Sequence, residues 1–397
     1  MSRLILFVTE QVKPGGKLSH VEALSAGLEH HGWTTERLDW NALSFVEKAL
    51  VAGPMRLLDS MQRGLGQRWS LPALNQRFAA HLRIRLSRRG VTDIVHVQEP
   101  LTFRAAAGAA RGIPIALTVH GPVHREVASA WNLALDHPVV RWLREIERRA
   151  YLEAAAVIAV DQAHLEYVRE FGREHDVWSI PNFVDTRRFH PAVSPERFPD
   201  EVEQWIAGRP VVLCPRRLVP KNGVAVAIRA GAEIASRGLP VAVVIVGDGP
   251  QRSELEQLAA EPLHAPHSRL IGEAGLERMP GWIRRSDVVV VPSVPSKGVE
   301  EATSISAIEA QACGRPVVAS AIGGLREIIR DGETGLLVPA GSAPALAEAV
   351  LRALREPGLA TRLETAAALE VTSLRSHEAG AARYVEVYET LRDRESR

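Results

Sequence analysis

The chain has 397 residues, 46% of them apolar and 24% charged, with a formal net charge of +1 at pH 7. Single cores rarely grow beyond roughly 250–300 residues, so the length predicts two domains, and the near-zero charge gives no global field to attract nucleic acid. Cys214 and Cys313, the two cysteines, stand in no metal-ligand spacing, which suits reduced structural thiols and excludes a disulfide scaffold.

Short apolar runs alternate with amphipathic helical stretches along the whole chain, a pattern that predicts parallel βαβ units and an α/β fold. Strands are expected at residues 4–8, 94–97, 115–118 and 157–159 in the first half. In the second half they are expected at 211–214, 241–246, 269–271, 288–291 and 316–319. These runs are continuously apolar rather than alternating, which suits strands buried on both faces. The first run is too short for a signal-peptide core and has no small-residue cleavage site after it. No uncharged stretch approaches the ~20 residues that span a bilayer. The expected location is the cytoplasm, with contact at a membrane surface left open.

After the first strand come Pro14, Gly15, Gly16 and Lys17. Glycines at a strand-to-helix turn let the backbone approach a ligand closely, but the Gly-x-Gly-x-x-Gly spacing of a dinucleotide site is missing. Between Met55 and Gly90 the chain carries Arg56, Arg63, Arg68, Arg77, Arg83, Arg85, Arg88 and Arg89 against the single acid Asp59. Apolar residues are interleaved with these arginines. Such a segment reads as a helix pair with a solvated basic face, or as a surface for anionic membrane. His120 follows the strand at 115–118 and precedes Gly121. The stretch 181–209, punctuated by Pro181, Pro191, Pro195 and Pro199, reads as an interdomain linker.

The second half is richer. Arg216, Arg217 and Lys221 follow the strand at 211–214, a strand-end position that faces the ligand crevice in an open parallel sheet. Gly247-Asp248-Gly249 follows the next strand. The strand at 288–291 runs into a loop holding Glu301, after which Thr303 to Ser306 supply hydroxyls suited to a helix N-cap. Glu309 then lies inside that helix, up to ~12 Å from Glu301 if the eight intervening steps are helical. A helix N-terminus between them presents free N–H groups and a positive dipole end, suited to phosphate. The order carboxylate, anion seat, carboxylate matches sugar, diphosphate and ribose along a nucleotide sugar, whose hydroxyls donate to carboxylates. Residues 376–391 have a helical pattern.

These motifs resemble family 4 of the retaining glycosyltransferases. The resemblance rests on Glu301, Glu309, Ala310, Gly314 and Pro316-Val317-Val318. It continues with Gly323-Gly324-Leu325-Arg326-Glu327-Ile328, Asp331-Gly332-Glu333-Thr334-Gly335, Val246-Gly247-Asp248-Gly249-Pro250 and Pro181-Asn182-Phe183-Val184-Asp185. It implies the GT-B fold, two facing Rossmann-like domains with a cleft between them. Residues 1–192, joined by a crossing C-terminal helix at 376–397, would form the acceptor-side domain, and 193–375 the donor-binding domain.

The resemblance also implies roles. Glu301 would contact the donor sugar and Glu309 the ribose. Thr303 and the backbone near Ser304 and Ile305 would hold the diphosphate, with Gly15, Gly16 and Gly247 lining the donor. Arg217 and Lys221 would neutralise the leaving group, and His120 would lie near the reacting carbon. The chain departs from the pattern at Ala302, where glycine is more usual. It also departs at Lys221, one place early, with Asn222 in the usual lysine position. The implied reaction is retaining transfer from a nucleotide diphosphate sugar to an acceptor hydroxyl, with no metal and no cofactor. The expected partners are the donor, an unidentified acceptor and, through 55–90, a membrane surface. The alternatives are another GT-B enzyme, an epimerase or phosphorylase, and a non-catalytic nucleotide-sugar binder.

Overall fold

The computed structural model describes residues 3–10, 16–52, 65–88, 92–296, 298 and 300–395. In chain order the strands are β1 (Arg3–Val8), β2 (Trp33–Leu38), β3 (Ile94–Val97), β4 (Ile115–Val119), β5 (Ala156–Ala159) and β6 (Val177–Ser179), then β7 (Val211–Pro215), β8 (Ala242–Val246), β9 (Ser268–Leu270), β10 (Val288–Val291), β11 (Val317–Ser320) and β12 (Leu336–Val338). They form two six-stranded sheets, ordered β2-β1-β3-β4-β5-β6 and β12-β11-β10-β7-β8-β9. The pairings within both sheets are parallel.

The chain divides into two compact units. One comprises Met1–Lys13, Leu24–Pro181 and Ala381–Arg397; the other comprises Pro14–Ala23 and Asn182–Gly380. Besides the short piece Pro14–Ala23, the chain passes from one unit to the other at Pro181/Asn182 and Gly380/Ala381, where the sequence reading put the limits at 192/193 and 375/376.

The second sheet shows why its strands read as continuous apolar runs. Val212 and Cys214 of β7, Val243 and Ile245 of β8, and Val288 and Val290 of β10 pack into one core. Their alternates Val211, Leu213, Ala242, Val244, Val289 and Val291 pack into another. Side chains of a strand alternate between faces, so a sheet covered on both sides needs apolar residues at every position. Both thiols are buried, and burial pushes Cys214 and Cys313 up to about 12, which keeps them as inert protonated thiols.

The stretch 181–209 is not a linker. Val184, Phe189, Phe198, Val202 and Ile206 are buried in the second unit's core, and Asp200–Ile206 is a helix. Pro191 lies in a turn and Pro199 at a helix N-cap, but the apolar residues of the stretch bury enough surface to fix it.

In the first unit, Leu6, Val8, Val95, Val97, Leu117 and Val119 share one core with Phe78 and Leu82. Those last two lie on the helix Leu65–Arg88, which packs against the helix Pro100–Ala109. The C-terminal helix His377–Glu395 contributes fully buried Tyr384 and Tyr388 to this unit. The Tyr388 hydroxyl meets His96 Nδ1 at 2.7 Å, and its ring lies 5.7 Å from that of Trp33. Among the described residues, no helix is long and apolar enough to cross a membrane.

Candidate functional site

In the second sheet the strand order runs one way from β7 through β8 to β9 and the other way from β10 through β11 to β12. The switch lies between β7 and β10, and ligands of open α/β sheets bind beyond the carboxyl ends of the strands at such a point. Arg216 leaves β7 there, and Ser293 follows β10 by two residues. Arg216 is 7% exposed. Its Nη2 donates to Glu301 Oε2 at 2.7 Å, to Asn222 Oδ1 at 2.6 Å and to Ser293 Oγ at 3.1 Å. Its Nη1 donates to Ser304 Oγ at 2.9 Å. The Ser293 hydroxyl also donates to Glu301 Oε2, at 3.3 Å.

Glu301 is thus a largely buried carboxylate, its side chain 10% exposed, held in an ion pair. Burial pushes its carboxyl up, but the charges of Arg216 and Lys221, with hydrogen bonds from Arg216 and Ser293, outweigh burial and hold it below the usual carboxylate range. Its backbone is clamped as well. Gly324 N donates to Glu301 O at 2.9 Å, and a Cβ on Gly323 (φ 46°) would fall 2.1 Å from the same oxygen. The Gly-Gly pair is therefore required by close approach of two chain segments.

The helix Ile305–Ala312 begins three residues beyond Ala302, with Ser304 at its N-cap. The Ser304 side chain makes no capping bond to the helix and instead accepts from Arg216. Buried Thr303 is tied by Asn182, whose Nδ2 donates to Thr303 O at 2.7 Å and whose backbone N donates to Thr303 Oγ1 at 3.2 Å. Ile305 is buried, and a Cβ on Gly16 would meet its Cδ1 at 3.5 Å. Gly15 lies outside the described residues.

Glu309, one turn into the helix, is also buried. Ser19 Oγ donates to its Oε1 at 3.0 Å. Burial raises this carboxyl to about 7, against the lowering pull of Ser19 and of the more distant Arg188 charge. The two glutamates of the motif thus differ: Glu301 is paired and ionised, while Glu309 is held partly protonated near neutrality.

Gly247 follows β8 with φ 148°. A Cβ there would lie 2.1 Å from Arg216 O, so glycine lets the β8 exit press on the backbone that carries Arg216. Lys221 sits half-buried in the turn Pro220–Asn222, and Arg217 is exposed.

The first sheet switches direction between β1 and β3. Buried Glu99 accepts there from Thr9 Oγ1 at 2.9 Å, from Glu10 N at 2.6 Å and from Thr102 Oγ1 at 2.9 Å. His120, just past β4, donates from Nε2 to Gln98 Oε1 at 3.1 Å.

Two family models match this chain. "Glycosyltransferase Family 4" covers residues 15–188 and "Glycosyl transferases group 1" covers 197–370. The GDP-mannose-dependent alpha-(1-6)-phosphatidylinositol monomannoside mannosyltransferase of Mycolicibacterium smegmatis is 32% identical over 68% of this chain and 71% of its own length. The chain belongs to glycosyltransferase family 4.

The alpha-D-kanosaminyltransferase of Streptomyces kanamyceticus is 30% identical over 65% of each chain, a little under two thirds of that enzyme's length. Among solved structures, the sucrose-phosphate synthase of Thermosynechococcus elongatus superposes with a TM-score of 0.73 at 22% identity, over 98% of this chain and 99% of that one. HepE of Anabaena, in complex with UDP-glucose, gives 0.69 at 20%, over 98% and 99%. The fold is GT-B.

For a family 4 glycosyltransferase, the structure brings together Glu301, Thr303, Ser304 and Ile305 at the β7/β10 switch, with Gly247 supporting them. Glu309 lies within that helix, and Gly16 of the same unit approaches it at Ile305. Sequence reasoning set Arg216 aside for Arg217, although burial separates these neighbours sharply. It named Ser293 at the head of the Glu301–Glu309 segment without giving it a role, and it passed over Gln98 and Glu99, polar residues whose sole signal was their place after an apolar run. The basic segment divides. Residues 55–64, 89 and 90 lie outside the described residues. In the remainder Arg85 pairs with Glu36 at 2.6 Å and Arg83 donates to Gly108 O, while Trp69 and Ile84 are exposed.

Proposed function

We propose that this family 4 glycosyltransferase moves a glycosyl group from a nucleotide diphosphate sugar to an acceptor hydroxyl with retention of anomeric configuration and without a required metal. The observation that carries this reading is the buried Glu301–Arg216 pair beside the N-terminus of Ile305–Ala312, with Glu309 farther along the same helix. Glu301 accepts from the sugar hydroxyls, the backbone of Ser304 and Ile305 donates to the diphosphate, and Glu309 takes the ribose. Arg217 and Lys221 stabilise the charge that grows on the departing diphosphate, the role metal ions play elsewhere. Thr303, Gly247, Gly15 and Gly16 shape the donor seat, and His120 acts near the reacting carbon. The transition state resembles an oxocarbenium ion, by analogy with glycoside cleavage.

The relatives' names support a mannosyl or related donor and ring-polyol acceptors: one names GDP-mannose and phosphatidylinositol monomannoside, another 2-deoxystreptamine. We place the reaction in the cytoplasm, with the basic helix Leu65–Arg88 able to meet an anionic bilayer. Sedimentation with anionic vesicles that weakens as salt rises supports that contact. The test of function is release of nucleoside diphosphate from GDP-mannose or UDP-glucose, with and without inositol phosphates or 2-deoxystreptamine. Acceptor-dependent release supports transfer. Turnover of the sugar nucleotide without release would indicate an epimerase, and binding without turnover a non-catalytic binder.

A further inference from the structure

Family 4 resemblance puts a lysine at position 222, and this chain has Asn222 there. The amide is not idle: Oδ1 accepts from Arg216 Nη2 at 2.6 Å, and Nδ2 donates to Arg217 O at 2.7 Å. A guanidinium arriving from the β7 exit therefore stands against the residue where the ammonium would start. It spans four oxygens from four segments: Asn222 after β7, Ser293 after β10, Glu301 in the following loop and Ser304 at the helix N-cap. An ammonium is a point charge and cannot bridge in this planar way. Arg216 Nε is buried without a hydrogen-bond partner, so the side chain is held there at the cost of one unsatisfied donor.

We infer that Arg216 is the positioning residue of the donor site: it fixes Glu301, ionised and oriented, beside the helix N-terminus, replacing the cation absent from position 222. This inference rests on the reading of Glu301 as the donor-sugar contact. Arg217 next in sequence is exposed and cannot do this from its own position. The charged groups facing Glu301 are Arg216 and Lys221. Lys221 remains when Arg216 is replaced, but an ammonium lacks the planar fork by which the guanidinium spans Ser293, Ser304 and Asn222.

The test uses the full chain carrying Arg216→Met, Arg216→Lys or Arg216→Met with Glu301→Gln, and it has two readouts. The first needs no activity. Arg216→Met takes the guanidinium from a largely buried carboxylate and leaves Lys221 as its facing cation, so thermal unfolding at pH 8 should fall by roughly 10 °C. Adding Glu301→Gln should restore most of that loss. The second is initial-rate kinetics on whichever of GDP-mannose and UDP-glucose the wild type turns over. Arg216→Met should lower kcat roughly 100-fold and move the acid limb of its pH profile upward, because Glu301 loses the partner that keeps it ionised. Binding of free GDP or UDP should change less than about threefold, since Glu301 meets the sugar rather than the nucleotide. Arg216→Lys should recover part of kcat and of the acid limb. Absence of Glu301→Gln rescue, or an unmoved acid limb, overturns the inference. Wild type that releases no nucleoside diphosphate, in a protein that shows the rescue, overturns the proposed function while leaving Arg216 as the residue that holds Glu301.

Discussion

Glu309→Gln should make this protein more stable, and by an amount that depends on pH. Burial raises the Glu309 carboxyl from 4.5 to about 7, so the fold binds this proton more tightly than the unfolded chain does. Stability from this group is full below pH 4.5 and is lost as pH rises to about 7. At 1.36 kcal/mol per pH unit, the ionised carboxylate costs the fold about 3 kcal/mol at pH 8 and about 1 kcal/mol at pH 5. Glutamine has the same shape, still accepts from Ser19 and carries no charge to desolvate. It should therefore raise the unfolding midpoint of the second unit by several degrees at pH 8, at roughly 2–4 °C per kcal/mol, and by much less at pH 5. Differential scanning calorimetry of both proteins at the two pH values measures this. A midpoint difference that is the same at both pH values, or a variant less stable at pH 8, would refute the burial argument. A carboxylate that costs the fold stability at working pH is consistent with a group kept for ligand rather than for structure.

Other outcomes follow from single contacts. Gly247→Ala sets a Cβ 2.1 Å from Arg216 O at φ 148°; it should destabilise the second unit by at least ~2 kcal/mol in thermal unfolding, and an unchanged midpoint would contradict the close approach. Tyr388→Phe removes a buried hydroxyl from His96 and should cost about 1–3 kcal/mol in the first unit, with no change refuting that bond. Arg217→Ala should lower kcat more than it raises donor KM if its charge acts on the leaving group; a pure KM effect would assign it to ground-state binding.

The central strands were legible in the sequence, and of the four edge strands only β9 was. β7, β8, β10 and β11 were expected within two residues of their observed ends because both faces of each are covered, leaving unbroken apolar runs. β2, β6 and β12, all at sheet edges, were missed. β2 reads Trp-Thr-Thr-Glu-Arg-Leu, with polar residues at its four central positions, and β6 and β12 have three residues each. Pairing to a neighbour, not composition, makes these strands.

The site was legible as a motif and illegible as a network. Glu301, Ser304 and Glu309 were singled out on a spacing that fits a loop followed by a helix, and their roles came only with the family resemblance. Arg216 and Arg217 are chemically identical in sequence, and only the strand exit decides which is buried. The proline stretch failed for a related reason: prolines mark turns, but Phe189 and Phe198 between them are buried residues of the core, which punctuation does not reveal.

Retaining transfer from a nucleotide sugar is read in the anomeric configuration of the product. With GDP-mannose or UDP-glucose, both α-linked donors, and the acceptor that supports nucleoside diphosphate release, proton NMR of the freshly formed glycoside reads the new linkage. Retention gives an α-glycoside from the first turnover onward. A β-glycoside would mean direct inversion at the reacting carbon and would contradict it.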